Sequence, residues 1–209
     1  MVTYEQMRGI RERIRLLDAS VARKVSELVA ESASDDALRA ALFIELRAVC
    51  EDAFSLAAEL ARAVYNGWRI IELGAASDTV AASTFDAAKF DDMAWTALSK
   101  QTGGEIINVV SSYAGYNIRQ SYTNTLMASA ARDKVKPKFA RVPQGAETCG
   151  FCMMLASRGF EYANGKNGER VHNHANCDCI YVASWAGNPK ADGYDPDEWY
   201  RRWKDSQQH

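Results

Sequence analysis

Four of the five cysteines and two of the three histidines of this chain fall within residues 149–179. Cys149 and Cys152 form a C-x2-C pair, and His174, Cys177 and Cys179 form an H-x2-C-x-C segment downstream. Thiolates and imidazoles are the ligands that Zn²⁺ prefers, and structural zinc sites commonly take four of them from two short segments joined by a loop. The spacing therefore predicts a structural zinc site built from these five candidate ligands.

The same residues leave other interpretations open. With His172 there are six thiols and imidazoles, which is more than one tetrahedral ion can bind, and the sequence does not choose among them. They could instead be reduced, partly buried thiols without a metal. C-x2-C is also the spacing of redox pairs, so a cytoplasmic adaptor that senses redox state is a further alternative. A small module poor in apolar residues favours the metal, because such modules often need one to fold.

The tripeptide His172-Asn173-His174 spells H-N-H but does not predict a nuclease. In the nucleases named for these letters the three residues are spread over a long hairpin, and the centre needs a general-base histidine besides its metal ligands. The chain also has no phosphate-binding glycine loop and no nucleophile elbow. We therefore expect no enzymatic activity. The alternative is a zinc-dependent enzyme or toxin acting on nucleic acid, which would need an open coordination position.

The composition is that of an ordinary globular protein, with 47% hydrophobic residues, 25% charged residues and a net charge of −2. No segment approaches about 18 consecutive apolar residues, so we expect no membrane contact. The N-terminus lacks the continuous apolar region of a secretory signal, which predicts a reducing cytoplasm. The net charge argues against a dedicated nucleic-acid binder. The basic segment Arg132–Arg141 is the place where DNA contact is expected, although a solvated connector is the simpler interpretation.

Most of the elements that must position these residues are predicted to be helices. A capping box of Thr3 and Gln6 precedes a helix over residues 4–31, and a second helix runs from Ser34 to Leu73. A third begins near Thr84 and is broken by Gly103-Gly104, and a fourth covers 105–132.

The character of the sequence changes after residue 132. Strands are expected at KFARVP and CIYVASW, with a helix after Cys149 and a terminal helix capped by Asp195. Trp199, Tyr200 and Trp203 of that last helix either anchor a partner or fold back on the core. The predicted class is mostly α, with a helical region 1–132 and a small Cys/His-rich α+β module 133–209.

The second half of the chain resembles a known family. The run RVPQGAETCGFCMMLASRGFEY, a Gly/Asn-rich loop and HANCDC are similar to the C-terminal module of phage Mu protein F-like minor head proteins. The resemblance covers about residues 105–185 and is closest to the type found in phages of actinobacteria. It implies a minor capsid or head-morphogenesis protein that acts in assembly or in genome packaging and ejection. It also implies the portal or major capsid protein as partners, and a place inside the virion head near the portal after assembly in the host cytoplasm.

Overall fold

The computed structural model describes residues 1–145, 148–163, 173 and 177–207. The predicted class is confirmed: long N-terminal helices are followed by a small α+β module that carries a cysteine cluster. The helices are α1 (Tyr4–Glu31), α2 (Asp35–Ala41), α3 (Arg47–Leu73), α4 (Ala87–Leu98), α5 (Gly103–Arg132), α6 (Gly150–Ala156) and α7 (Pro196–Ser206). The strands are β1 (Lys138–Val142), β2 (Tyr162–Ala163) and β3 (Ile180–Ser184).

The first helix has the predicted bounds because its capping box forms as expected. The Thr3 hydroxyl accepts a hydrogen bond from the Gln6 amide at 3.2 Å, and the Gln6 side chain accepts one from the Thr3 amide at 2.9 Å. Two of the amides that a helix N-terminus leaves unbonded are satisfied in this way. One face of α1 is buried, namely Met7, Ile10, Ile14, Val21, Val25 and Leu28.

The second predicted helix is also confirmed, with a change of pitch inside it. A π-helical turn over Leu42–Leu46 joins α2 to α3, and both of its terminal leucines are buried. The run ends at Gly74, whose φ of 77° lies in the left-handed region that glycine adopts without a steric penalty. Such π turns insert a residue locally and shift the faces of a helix relative to each other.

The predictions around the third and fourth helices were partly wrong. Helix α4 begins at Ala87, where the Asp86 carboxylate accepts from two amides of the first turn, and it ends at Leu98. Gly103 and Gly104 do not break it, since both lie in the first turn of α5 behind a capping box of Thr102 and Glu105. A Cβ atom on Gly103 would lie 2.5 Å from a methyl carbon of Val29, so the glycine permits a close approach to the end of α1.

Helix α5 is the centre of the molecule and packs against α1, α3 and α4. The three strands form an antiparallel sheet in the order β2-β1-β3, and β3 contacts α1 and α3. One hydrophobic core includes Phe54 and Leu126 of the helices as well as Phe139 and Val182 of the sheet. This core crosses the predicted boundary at residues 132/133, and the division into two regions stays a prediction.

The terminal helix α7 packs along α6. Trp199 and Trp203 are half-buried, whereas Tyr200 is exposed. The helix therefore folds back on the module, which is the second of the two arrangements expected from its aromatic residues. No helix in the described part of the chain is long and apolar enough to span a lipid bilayer.

The structure divides the basic segment Arg132–Arg141. Arg132, Lys134 and Lys138 are exposed, and the Lys136 ammonium donates to two backbone carbonyls in the last turn of α5. Arg141 is fully buried, on a strand in which residues 139–142 are all buried. Including Arg141 in a surface that contacts DNA was therefore wrong.

Candidate metal centre

Three of the five predicted ligands converge beneath the sheet. The Sγ atoms of Cys152, Cys177 and Cys179 all lie within 4.8 Å of one another, and those of Cys152 and Cys177 are 3.8 Å apart. The three residues are 2%, 2% and 8% exposed. A group of thiols at such distances could bind a soft metal ion.

The positions of these thiols follow from two packing contacts. Cys152 lies in the first turn of α6, which packs against β1. Cys179 immediately precedes β3, whose first residue Ile180 pairs with Val142 of β1. The antiparallel pairing of β1 with β3 thus brings the segment 177–179 back to the strand that α6 covers.

Arg141 is the neighbour that the three thiols share. Its Nη2 atom donates to Cys177 Sγ at 2.8 Å and to Cys152 Sγ at 3.4 Å. Its Nη1 atom donates to the hydroxyl of Tyr181 at 2.9 Å, and Tyr181 is its partner across the β1–β3 pair. A fully buried guanidinium requires a nearby negative charge, and the sulfur atoms are placed to supply it.

The protonation of the thiols reflects these contacts. Hydrogen bonds from the thiols of Cys152 and Cys179 hold the pKa of Cys177 well below its ordinary value, and the charge of Arg141 adds to that effect. The reciprocal hydrogen bonds, together with burial, raise the pKa of the Cys152 thiol. The directions of these shifts favour the thiolate form at Cys177, whose sulfur accepts the 2.8 Å hydrogen bond from Arg141.

A second set of charged residues holds the segment 177–179 against the long helices. Arg119 of α5 donates to the carbonyl oxygen of Cys177 at 2.6 Å and forms a 2.7 Å ion pair with Asp18 of α1. Arg11 of α1 forms a 3.0 Å ion pair with Asp178. These contacts hold in place the backbone of residues 177–179, which carries the thiols of Cys177 and Cys179.

The other predicted ligands have different positions. Cys149 is exposed at the N-terminus of α6, where its sulfur accepts from the Cys152 amide at 3.4 Å, and it is not part of the group of three. His174 lies outside the described residues, as does His172. Asn173 between them is buried, and its amide donates to Thr123 of α5 at 3.0 Å. The middle residue of the H-N-H tripeptide thus holds the chain to α5.

Sequence reasoning missed Arg141, which it assigned to a basic surface. The signal was present in the strand pattern KFARV, because alternate residues of a strand share a face. Phe139 and Arg141 are two residues apart and so share a face of β1, and both are fully buried. A charged residue on the apolar face of a strand indicates a buried partner of opposite charge.

A family profile described as VG15 protein matches residues 1–206 of the chain, which is nearly its whole length. No curated protein and no solved structure matches the chain.

Proposed function

The chain belongs to the VG15 protein family, a family of phage proteins, and from that premise we propose that it is a structural protein of the phage head. In this proposal it is a minor capsid or head-morphogenesis protein that binds the portal on the inner side of the capsid and is not an enzyme. Its similarity to Mu protein F-like minor head proteins supports this location.

The observation that carries the proposal is an apolar stripe along the outer face of α3. Its members are spaced three, four or seven residues apart, which places them on one side of a helix, and they are the exposed residues Leu56, Ala63, Gly67, Ile70 and Ile71. Leu56 and Ile71 are 56% and 62% exposed, and Ile70 is 49% exposed. At 1.5 Å per residue the stripe is about 22 Å long.

A stripe of this kind has the form of a helix-docking surface. Partners that bind a helix commonly do so through apolar residues at these spacings, and extended exposed apolar patches mark interaction sites. Gly67 lies in the middle, and a Cβ atom placed there would meet nothing within 4 Å. With Ala63 it leaves room for the backbone of a partner helix to approach closely. The opposite face of α3, with Phe54 and Tyr65, is already used in the core.

The cysteine cluster supports a structural role over a catalytic one. Its thiols are at most 8% exposed and are covered by α6 and by the buried Arg141 side chain. A catalytic metal needs an open coordination position that a substrate can reach. Within the basic segment Arg132–Arg141, DNA contact would fall to the exposed residues Arg132, Lys134 and Lys138.

The stripe gives a direct test of portal binding. Replacing Leu56 and Ile71 together by Glu puts two charges on the surface that the partner must desolvate. We expect an affinity for purified portal lower by at least about 30-fold, the effect of losing about 2 kcal/mol at an interface hot spot. The control is Leu16→Glu, which adds one such charge at a leucine of α1 that is 60% exposed. Equal portal binding by the double variant and the control would contradict this role of α3.

The location in the particle is tested separately. Quantitative peptide mass spectrometry on purified proheads and virions should find the chain in a few copies per particle. Phage in which its gene carries an early stop codon should form fewer filled heads. Absence of the chain from both particles, with normal head assembly by the mutant, would contradict a head protein.

A further inference from the structure

We propose that Cys152, Cys177 and Cys179 hold a structural Zn²⁺ ion as three thiolate ligands, with Arg141 as the buried charge that balances the site. This inference is independent of the head-binding role, because the thiols lie in the module and the stripe lies on α3.

The distances fit a tetrahedral zinc site. With Zn–S bonds of about 2.3 Å, two ligand sulfurs at the corners of a tetrahedron are about 3.8 Å apart. The Sγ atoms of Cys152 and Cys177 are separated by 3.8 Å, and Cys179 lies within 4.8 Å of both. The three sulfurs therefore already occupy one face of a coordination sphere, with only a small movement of Cys179 required.

The charges fit as well. One Zn²⁺ ion with three thiolates carries a net charge of −1, and the Arg141 guanidinium brings the buried group to zero. A neutral total matters here, since an uncompensated charge in the interior costs several kcal/mol. The Arg141 contacts to the sulfurs of Cys177 and Cys152 are the hydrogen bonds that commonly surround metal-bound thiolates.

The ligand chemistry selects the metal class. Thiolates bind soft and borderline ions such as Zn²⁺ and exclude Mg²⁺ and Ca²⁺, which require oxygen ligands. The site joins α6 to the segment before β3, two parts of the chain that are 25 residues apart at Cys152 and Cys177. An ion at this position would therefore stabilise the module by linking α6 to the segment before β3.

Metal analysis of untagged protein tests the inference. Inductively coupled plasma mass spectrometry should find about one zinc per chain in the wild type and in Cys50→Ala. Cys50 is the matched control, because it is also a buried cysteine but lies in α3 within the main core. The Cys177→Ser protein should contain less than about a tenth of that zinc.

A thiol-counting experiment keeps the test valid if Cys177→Ser fails to fold. In folded wild-type protein, a thiol reagent should modify three more cysteines after a zinc chelator is added, and added Zn²⁺ should protect those three again. Peptide mapping should identify them as Cys152, Cys177 and Cys179. Replacing zinc by Co²⁺ should give the thiolate-to-metal charge-transfer absorption expected for three sulfur ligands.

The contrary result is equally clear. Well-folded wild-type protein that contains no zinc, and whose three thiols gain no protection from added Zn²⁺, would overturn the inference. Portal binding by the same protein would be unaffected, so failure of the zinc site and failure of the proposed function can be told apart.

Discussion

Arg141 is the residue on which the cysteine cluster depends. It is fully buried, it contacts two sulfurs and the Tyr181 hydroxyl, and its position is fixed by pairing across two strands. A change at Arg141 should therefore affect the stability of the whole module.

Replacing Arg141 by Met keeps much of the volume but removes the charge. We expect the free energy of unfolding to fall by about 3–5 kcal/mol, the usual cost of leaving one member of a buried charge pair alone. Arg141→Lys keeps the charge but cannot reach the sulfurs and the tyrosine with one planar group, so its loss should be smaller. Urea unfolding followed by circular dichroism measures both variants, and equal stability of Arg141→Met and wild type would contradict the charge-balance argument.

The fourth zinc ligand is a second question at the residue scale, and the sequence offers His174 and Cys149. A fourth thiolate would leave the buried group at −1 even with Arg141, whereas a neutral imidazole keeps it at zero. Cys149 is moreover exposed. We predict that His174→Ala weakens zinc binding by at least about 10-fold, since even outer partners of a metal contribute that much. Cys149→Ser and His172→Ala should bind zinc as the wild type does. Competition with a chromophoric chelator measures all three variants, and zinc loss confined to Cys149→Ser would reverse the assignment.

At the scale of elements, α3 and the end of α5 are joined by a buried ion pair. Arg69 Nε lies 2.7 Å from Asp133 Oδ2, and Arg69 Nη2 lies 3.1 Å from Asp133 Oδ1. The same carboxylate accepts from the Tyr65 hydroxyl at 3.0 Å and from the Val135 amide. Burial alone would raise the pKa of Asp133, but the hydrogen bonds from Arg69, Val135 and Tyr65 outweigh it, so the pKa lies below its ordinary value.

This ion pair predicts a particular dependence of stability on pH. Because the pKa of Asp133 is lower in the folded state, its contribution is fully present above the unfolded pKa of 3.8 and is lost as the pH falls through the folded value. Asp133→Asn should reduce the free energy of unfolding by about 3 kcal/mol at pH 7. The difference between wild type and variant should shrink as the pH falls below 3.8 and through the lower pKa of folded Asp133. Denaturant unfolding at several pH values measures this difference, and a constant difference would contradict the linkage.

At the scale of the whole molecule, the thiol cluster and the apolar stripe of α3 lie in different parts of the protein. The thiol cluster lies inside the small module, where α6, β1 and the segment before β3 meet. The apolar stripe lies on the outside of α3, and the same helix contributes Phe54, Tyr65 and Trp68 to the core. The core that joins the helices to the sheet gives the stripe a rigid support. The proposed head role would require such a surface, because the protein would have to present a fixed shape to its partner.

The sequence alone determined the features that depend on neighbouring residues. The Thr3–Gln6 capping box and Gly74 set the ends of helices because their hydrogen bonds and backbone angles are local. The cysteine and histidine spacing likewise indicated a metal site, since ligand chemistry is a property of residue types. The wrong prediction that Gly103 breaks a helix also concerned local sequence, because the Thr102 cap that starts α5 was present there.

Only the tertiary structure decided which of these residues meet. It grouped Cys152 with Cys177 and Cys179 and left Cys149 exposed, because α6 packs on β1 and β3 pairs with β1. It buried Arg141 and paired Asp133 with a residue 64 positions away. It also left one apolar face of α3 exposed while burying the other. These outcomes depend on contacts between distant elements, and the pattern of a single segment does not determine which of its faces another element will cover.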